Sequence, residues 1–194
     1  MEASKRGLKR GLFGRKRVAI LFLDTTWFNE VPPLRNIWSK IGEQAEVPII
    51  GANKTVGLTG VLSLRTGAFW SYGSKVYTRD EFEEILINVR SHWRGWHIVL
   101  FLDKHSAQKC PSSRGFAERL GIQLRFLPTA TPELNPVDHL WRAVKGDVAA
   151  NEPTPNVVKT VRRACDYVRS LLPRDRLRKA GLLSADSWMK DLLH

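Results

Sequence analysis

The 194 residues, 43% of them hydrophobic and seven of them Trp, suffice for one well-packed domain and exclude a disordered or fibrous chain. Lys and Arg outnumber Asp and Glu by 31 to 19, and the resulting net charge of +12 favours polyanionic partners, nucleic acid above all. Cys110 and Cys165 lie far apart outside any CxxC pair, which argues for a reducing cytoplasmic compartment and against a zinc or disulfide framework.

Residues 1–17, MEASKRGLKRGLFGRKR, contain seven Lys or Arg, one acid and three Gly, too little apolar content to pack, and read as a flexible basic arm. The run VAILFLD that follows is apolar at every position up to Asp24. It is too short for a membrane span and predicts a strand buried on both faces. TVGLTGVLSL (55–64), the turn signal RTG and AFWSYGSKVY predict an antiparallel hairpin. TRDEFEEILINVRSHW has Thr78 as N-cap, acids in its first turn and Phe82, Ile85, Leu86 and Val89 at helical spacing. HIVLFLD (97–103) repeats the form of the first strand, again closed by an aspartate. SSRGFAERLG predicts a short helix ending at Gly121, IQLRFLP a strand, and 136–148 a further helix.

This order predicts a mixed α/β sheet flanked by helices over residues 18–150. Residues 151–194 read as a helical extension packed on or beside that unit. In TPNVVKTVRRACDYVRSLL, the residues Val157, Val158, Val161, Ala164, Val168 and Leu171 fall near one stripe that either covers the sheet or serves a partner.

Asp24 and Asp103 each close an apolar strand, the end at which open α/β sheets bind ligands. If those strands are neighbours, the two carboxylates converge and repel unless a cation or a proton lies between them. Magnesium suits such a site because it takes oxygen ligands and keeps water positions open for phosphates. A third acid comes from LPTATPELNPVDHLW (127–141). There Pro132 and Pro136 restrict the chain, Asn135 is a good N-cap, Pro136 suits the first helical position, and Asp138 falls in the first turn. Glu133 precedes the cap and belongs to the loop. Each acid also has a plainer reading: a solvated strand end for either aspartate, and a complement to the helix dipole for Asp138.

LFLDTTWF, VLFLDKHS and TPELNPVDHLW, with 34 residues between Asp103 and Asp138, resemble the catalytic region of DDE transposases of the mariner-like superfamily, including the bacterial insertion-sequence branch with its Asp-Asp-34-Asp pattern. Arg35 and Trp38 in LRNIWSKIG and the GVLSLRTG hairpin add to the likeness, which covers residues 17 to 150. The resemblance implies a ribonuclease H-like fold and metal-dependent DNA strand cleavage and transfer at transposon ends. It also implies two Mg²⁺ ions, with Mn²⁺ as a substitute, Asp24 bridging both while Asp103 and Asp138 hold one each. DNA is the implied partner, with a homodimer as the assembly and a helix-turn-helix portion or subunit for end recognition. A prokaryotic, nucleoid-associated location follows from the same likeness.

The chain departs from that pattern at Lys104 and Gln108, where Asn and often His are usual, and at Thr25, where an acid commonly stands. Seventeen basic residues do not replace a helix-turn-helix domain. Two other readings therefore stay open: a DNA-binding remnant that no longer cuts, and another ribonuclease H-like nuclease.

Overall fold

The computed structural model describes residues 17–36, 38–43, 46–47, 54–74, 77–129, 131–151, 154, 156–184, 187 and 189. Apart from Arg17, the basic arm read over residues 1–17 lies outside the described residues. Five strands form one sheet: β1 (Val18–Asn29), β2 (Thr55–Ser63), β3 (Phe69–Ser74), β4 (His97–Leu102) and β5 (Ile122–Phe126), in the order β3-β2-β1-β4-β5. β1 pairs antiparallel with β2 and parallel with β4, and β4 pairs parallel with β5. The helices are α1 (Arg79–His92), α2 (Ser106–Lys109), α3 (Pro111–Arg119), α4 (Pro136–Val148), α5 (Val157–Ser170) and α6 (Pro173–Lys179), with a 3-10 turn at Pro132–Leu134.

The aliphatic runs form central strands because both faces of the sheet are covered. In β1, Ala19, Leu21 and Leu23 join a cluster with α1, while Ile20 and Phe22 join a second cluster with α4, α5 and α6. The two-residue period of the strand thus divides one continuous apolar run between two cores. α1 starts where the sequence places it: the Thr78 hydroxyl accepts from the Glu81 amide, and the Glu81 carboxylate accepts from the Thr78 amide. Its four spaced apolar residues are all fully buried. The hairpin turn after β2 closes on the Ser63 amide donating to Ala68, with Gly67 at φ 64°. α3 stops at Gly121, whose φ of 68° suits a residue without a β-carbon.

Two expectations need correction. β1 does not end at Asp24 but continues to Asn29, because β2 goes on pairing with it as far as Asn29↔Thr55. The β-branched and aromatic residues Thr25, Thr26, Trp27 and Phe28 sustain that extension. On α5, Val158 is exposed and Leu171 is the half-buried C-cap, whereas Thr160 takes a place in the buried stripe with Val157, Val161, Ala164 and Val168. That stripe packs on the same cluster as β1 and β2, so its apolar face meets the sheet. Among the described residues no helix is long and apolar enough to cross a membrane. Cys110 and Cys165 are both free.

Candidate active site

β1 and β4 are parallel neighbours, but their pairing stops at Phe22↔Phe101. Asp24 lies two residues beyond that point on β1 and Asp103 two beyond it on β4. Both therefore fall past the last shared rung of the ladder, where the sheet opens. Strand parity sends Asp24 to the face of Phe22, the face α4 covers.

The third acid arrives as the turn chemistry predicts. Asn135 is the N-cap of α4, its side-chain oxygen accepting from the Val137 amide at 3.1 Å. Pro136 is the first helical residue and Asp138 lies in the first turn. The cap also ties this helix to β1: the fully buried Asn135 donates through Nδ2 to the Leu23 carbonyl at 3.1 Å. Farther along α4, the indole of buried Trp141 donates to the Asp24 carbonyl at 3.4 Å. That ring packs over Gly60, the residue paired with Asp24 across the ladder, and a β-carbon there would lie 2.5 Å from Trp141 Cζ2. Glycine at 60 is thus what lets Trp141 reach the backbone beside Asp24.

Electrostatics links the three acids. The half-buried Asp24 carboxyl is pushed up to about 8, first by loss of solvent and then by the charges of Asp103 and Asp138. Asp103 is also raised, by partial burial and by Asp138, against a hydrogen bond from Asn135. Such mutual repulsion calls for a cation or a retained proton. Asp138 already has one positive neighbour, Arg142, whose guanidinium donates to its Oδ2 at 2.5 Å.

An all-carboxylate donor set suits a hard divalent ion such as magnesium. Among the described residues, however, no three His, Cys, Asp or Glu side chains are gathered closely enough to hold a metal as they stand. Arg142 holds Asp138. Glu133 is exposed in the 3-10 turn, its backbone carbonyl accepting from His139 Nε2 at 3.2 Å, and is not among the groups acting on Asp24 or Asp103.

Sequence reading missed Lys145 and Tyr77. Lys145 stands two turns after Asp138 on α4, with its ammonium 5.6 Å from the Phe28 ring. Burial lowers its pKa, while Asp24 and Asp138 raise it. The seven-residue step from Asp138 was a legible signal, since it returns to one helix face. Tyr77 had no such signal. Its hydroxyl accepts from Gln108 Nε2 at 2.8 Å, and its pKa is pushed up to about 12, chiefly by burial. Gln108, one of the departures from the family pattern, is itself buried and completes the capping box of α2 with His105. Trp38, quoted in the resemblance, is fully exposed, while the Arg35 amide donates to Asn151 Oδ1 at 2.8 Å.

A family model of the DDE superfamily endonuclease matches residues 19–160, a span containing all three acids and reaching into α5. The chain belongs to the DDE superfamily endonucleases. Among solved structures, the Mos1 transposase paired-end complex with the left transposon end aligns with this DDE chain at a TM-score of 0.72 and 16% identity, covering 94% of this chain and 56% of that one. The catalytic domain of Mos1 mariner transposase aligns at a TM-score of 0.66 and 15% identity, covering 94% and 83%. The mariner Mos1 paired-end complex with Mg aligns at a TM-score of 0.72 and 16% identity, covering 94% and 56%. At this identity the likeness is one of fold, and the fold is ribonuclease H-like. The DDE chain spans little more than half the length of the Mos1 chains in those complexes. No curated protein sequence matches it.

Proposed function

We propose that this chain is the catalytic part of a transposase that cuts DNA at transposon ends and joins the freed strands to a target, using divalent metal held by Asp24, Asp103 and Asp138. The observation that carries the reading is that β1, the end of β4 and α4 bring three carboxylates to the open end of the sheet, where the charges of Asp103 and Asp138 act on Asp24 and that of Asp138 acts on Asp103. The span of the family match and the net charge of +12 support it. The Mos1 structures with Mg and with Mn support magnesium as the ion and manganese as its substitute.

When bound, such ions would activate the attacking oxygen and neutralise the leaving one. The protein's own part is positional. Asn135 and Trp141 tie the backbone of Leu23 and Asp24 to α4, so the acids of strand and helix keep one spacing. Arg142 pairs with Asp138, a contact that a divalent ion held by that carboxylate would have to displace. Lys145 keeps positive charge beside Asp24 and Asp138, where a DNA phosphate would approach. In this reading the chain works as a homodimer, with end recognition by a helix-turn-helix portion or subunit. The host is a prokaryote of the insertion-sequence branch, with the protein on its nucleoid; the Asp-Asp-34-Asp spacing supports the branch.

A second reading, DNA binding without cleavage, is favoured by the Arg142–Asp138 ion pair and by the lack of three gathered ligands among the described residues. One assay separates the two: nicking of supercoiled DNA by the purified chain with Mg²⁺ or Mn²⁺, run beside Asp103→Ala. Metal-dependent nicking that disappears in the variant is the expected result. DNA that is bound but never cut with either ion speaks for the second reading.

A further inference from the structure

The sheet ends on one side at β5, and among the described residues no strand pairs with its outer edge. Such an edge presents open donors and acceptors, which proteins commonly blunt with proline, a bulge or an inward-pointing charge. β5 is IQLRF, without proline, and its one charged residue, Arg125, is exposed. The Leu127 amide donates to the Leu102 carbonyl of β4 at 2.9 Å. Strand alternation therefore turns the backbone of Gln123 and Arg125 toward β4 as well, and that of Ile122, Leu124 and Phe126 toward the open side. The side chains of those three join the apolar cluster beneath α3, while Gln123 and Arg125 lie exposed.

α3 runs back along β5 and supplies two charges above this edge. The Arg114 guanidinium stacks on Phe126, 5.1 Å from the ring centroid. Glu118 lies one turn further on, next to the end of the helix, where its carbonyl accepts from the Gly121 amide at 2.9 Å. Both line a trough of about 640 Å³ that follows the open edge past Ile122, Leu124 and Phe126. Although they are opposite in sign and four residues apart on one helix, no ion pair among the described residues uses either of them.

We propose that a second copy of this chain pairs antiparallel with β5 about a two-fold axis at Leu124, joining the two sheets into one. Ile122 then stands opposite Phe126 of the second copy, Gln123 opposite Arg125, and Leu124 opposite Leu124. In that register each of the three open residues exchanges both hydrogen bonds with its counterpart, and no like charges face each other. The axis also settles the helices. Arg114 marks the Phe126 end of the trough and Glu118 the Ile122 end, so each Arg114 meets Glu118 of the other copy. A second copy is the fitting occupant because it carries the matching charges in reversed order at the same spacing. Since β1 and β4 run parallel to β5, this junction turns the acid-bearing ends of the two sheets in opposite directions. The pair is thus a dimer of the free chain, which goes beyond the function proposed above and uses neither its DNA nor its metal.

Sedimentation velocity of the full chain in EDTA, without DNA, should show a monomer–dimer equilibrium over roughly 1–100 µM, as suits a small interface. Arg114→Glu sets acids against acids and Glu118→Arg sets bases against bases, so each alone should weaken the dimer by about tenfold or more. An equimolar mixture of the two variants restores opposite charges at both contacts and should dimerise again, which a folding defect in either would prevent. Leu124→Cys, in a chain with Cys110→Ser and Cys165→Ser, should crosslink to itself on oxidation, because such partners stand about 5.5 Å apart at Cα. A chain that stays monomeric throughout, a dimer indifferent to both charge reversals, a mixture that does not recover, or no crosslink at Leu124→Cys overturns the proposal. Nicking is scored apart from these outcomes. A chain that dimerises in this way yet never cuts defeats the transposase reading alone, and one that cuts but fails these tests defeats this one alone.

Discussion

Asp24 keeps its proton to about 8 in the folded protein because burial and two neighbouring carboxylates oppose its charge. An unfolded aspartate ionises near 3.8, so over the interval between those values the folded state binds the extra proton. The group's contribution to stability is therefore greatest in acid and is lost as pH rises through its folded pKa. In EDTA, the melting temperature should fall between pH 5 and pH 8, and Asp24→Asn should flatten that fall, at about 2–4 °C per kcal/mol for a chain of this size. Magnesium added at pH 8 should restore the loss in the parent protein and do little for the variant. A parent melting temperature indifferent to both pH and magnesium would mean that the carboxylate cluster stores no repulsion.

The choice of third acid is tested at the same scale. Asp138→Asn should lower metal-dependent nicking by more than about a hundredfold with the fold intact by circular dichroism. Glu133→Gln should be much milder, because Glu133 is exposed and touches the α4 start only through its backbone carbonyl. Equal losses would show that the wrong carboxylate had been assigned.

Among the elements, α1 and α4 begin in similar ways with different consequences. Thr78 caps α1 at an exposed site with a reciprocal bond from Glu81. Thr78→Ala should cost about 1 kcal/mol by chemical denaturation and leave nicking unchanged. Asn135 caps α4 from a buried position and also satisfies the Leu23 carbonyl. Its loss removes a cap and leaves a buried acceptor unpaired, so Asn135→Ala should cost about 2–4 kcal/mol and also reduce nicking, by shifting Asp138 relative to Asp24. A stability loss with nicking untouched would detach the cap from the site. Both caps were legible in the sequence as Thr and Asn before helical periodicity. That one of them also bonds a strand 112 residues earlier in the chain was not legible, because side-chain reach across a fold has no local pattern.

At the scale of the molecule, the last described helices are fastened to the first hairpin. The Arg176 guanidinium donates to the carbonyls of Val168, Arg169 and Gly67, joining α6 to α5 and to the β2–β3 turn. Gly67 has no room for a β-carbon against the Pro173 backbone. Arg176→Ala strands acceptors at a junction of three elements and should lower stability by about 2–3 kcal/mol, with urea unfolding remaining a single transition. A second transition confined to α5 and α6 would show that they fold apart from the sheet. Leu177, Ala180 and Val168 share the cluster that holds Phe22 and Trp141, so the segment after residue 150 adds to the core beneath the acids.

Local chemistry determined much of this in advance: two unbroken apolar runs each ending in aspartate, a proline-bracketed cap before a helix, and charge suited to a polyanion. Those signals survive because strand burial, capping and net charge depend on neighbouring residues or on composition alone. Only the tertiary structure decided that β1 continues past Asp24, since β2 and not β4 supplies the extra pairing. It alone brought Lys145 beside Asp24 and set Trp141 on the Asp24 carbonyl over Gly60. Both outcomes depend on the distance between α4 and β1, residues far apart in sequence, a quantity that periodicity does not carry.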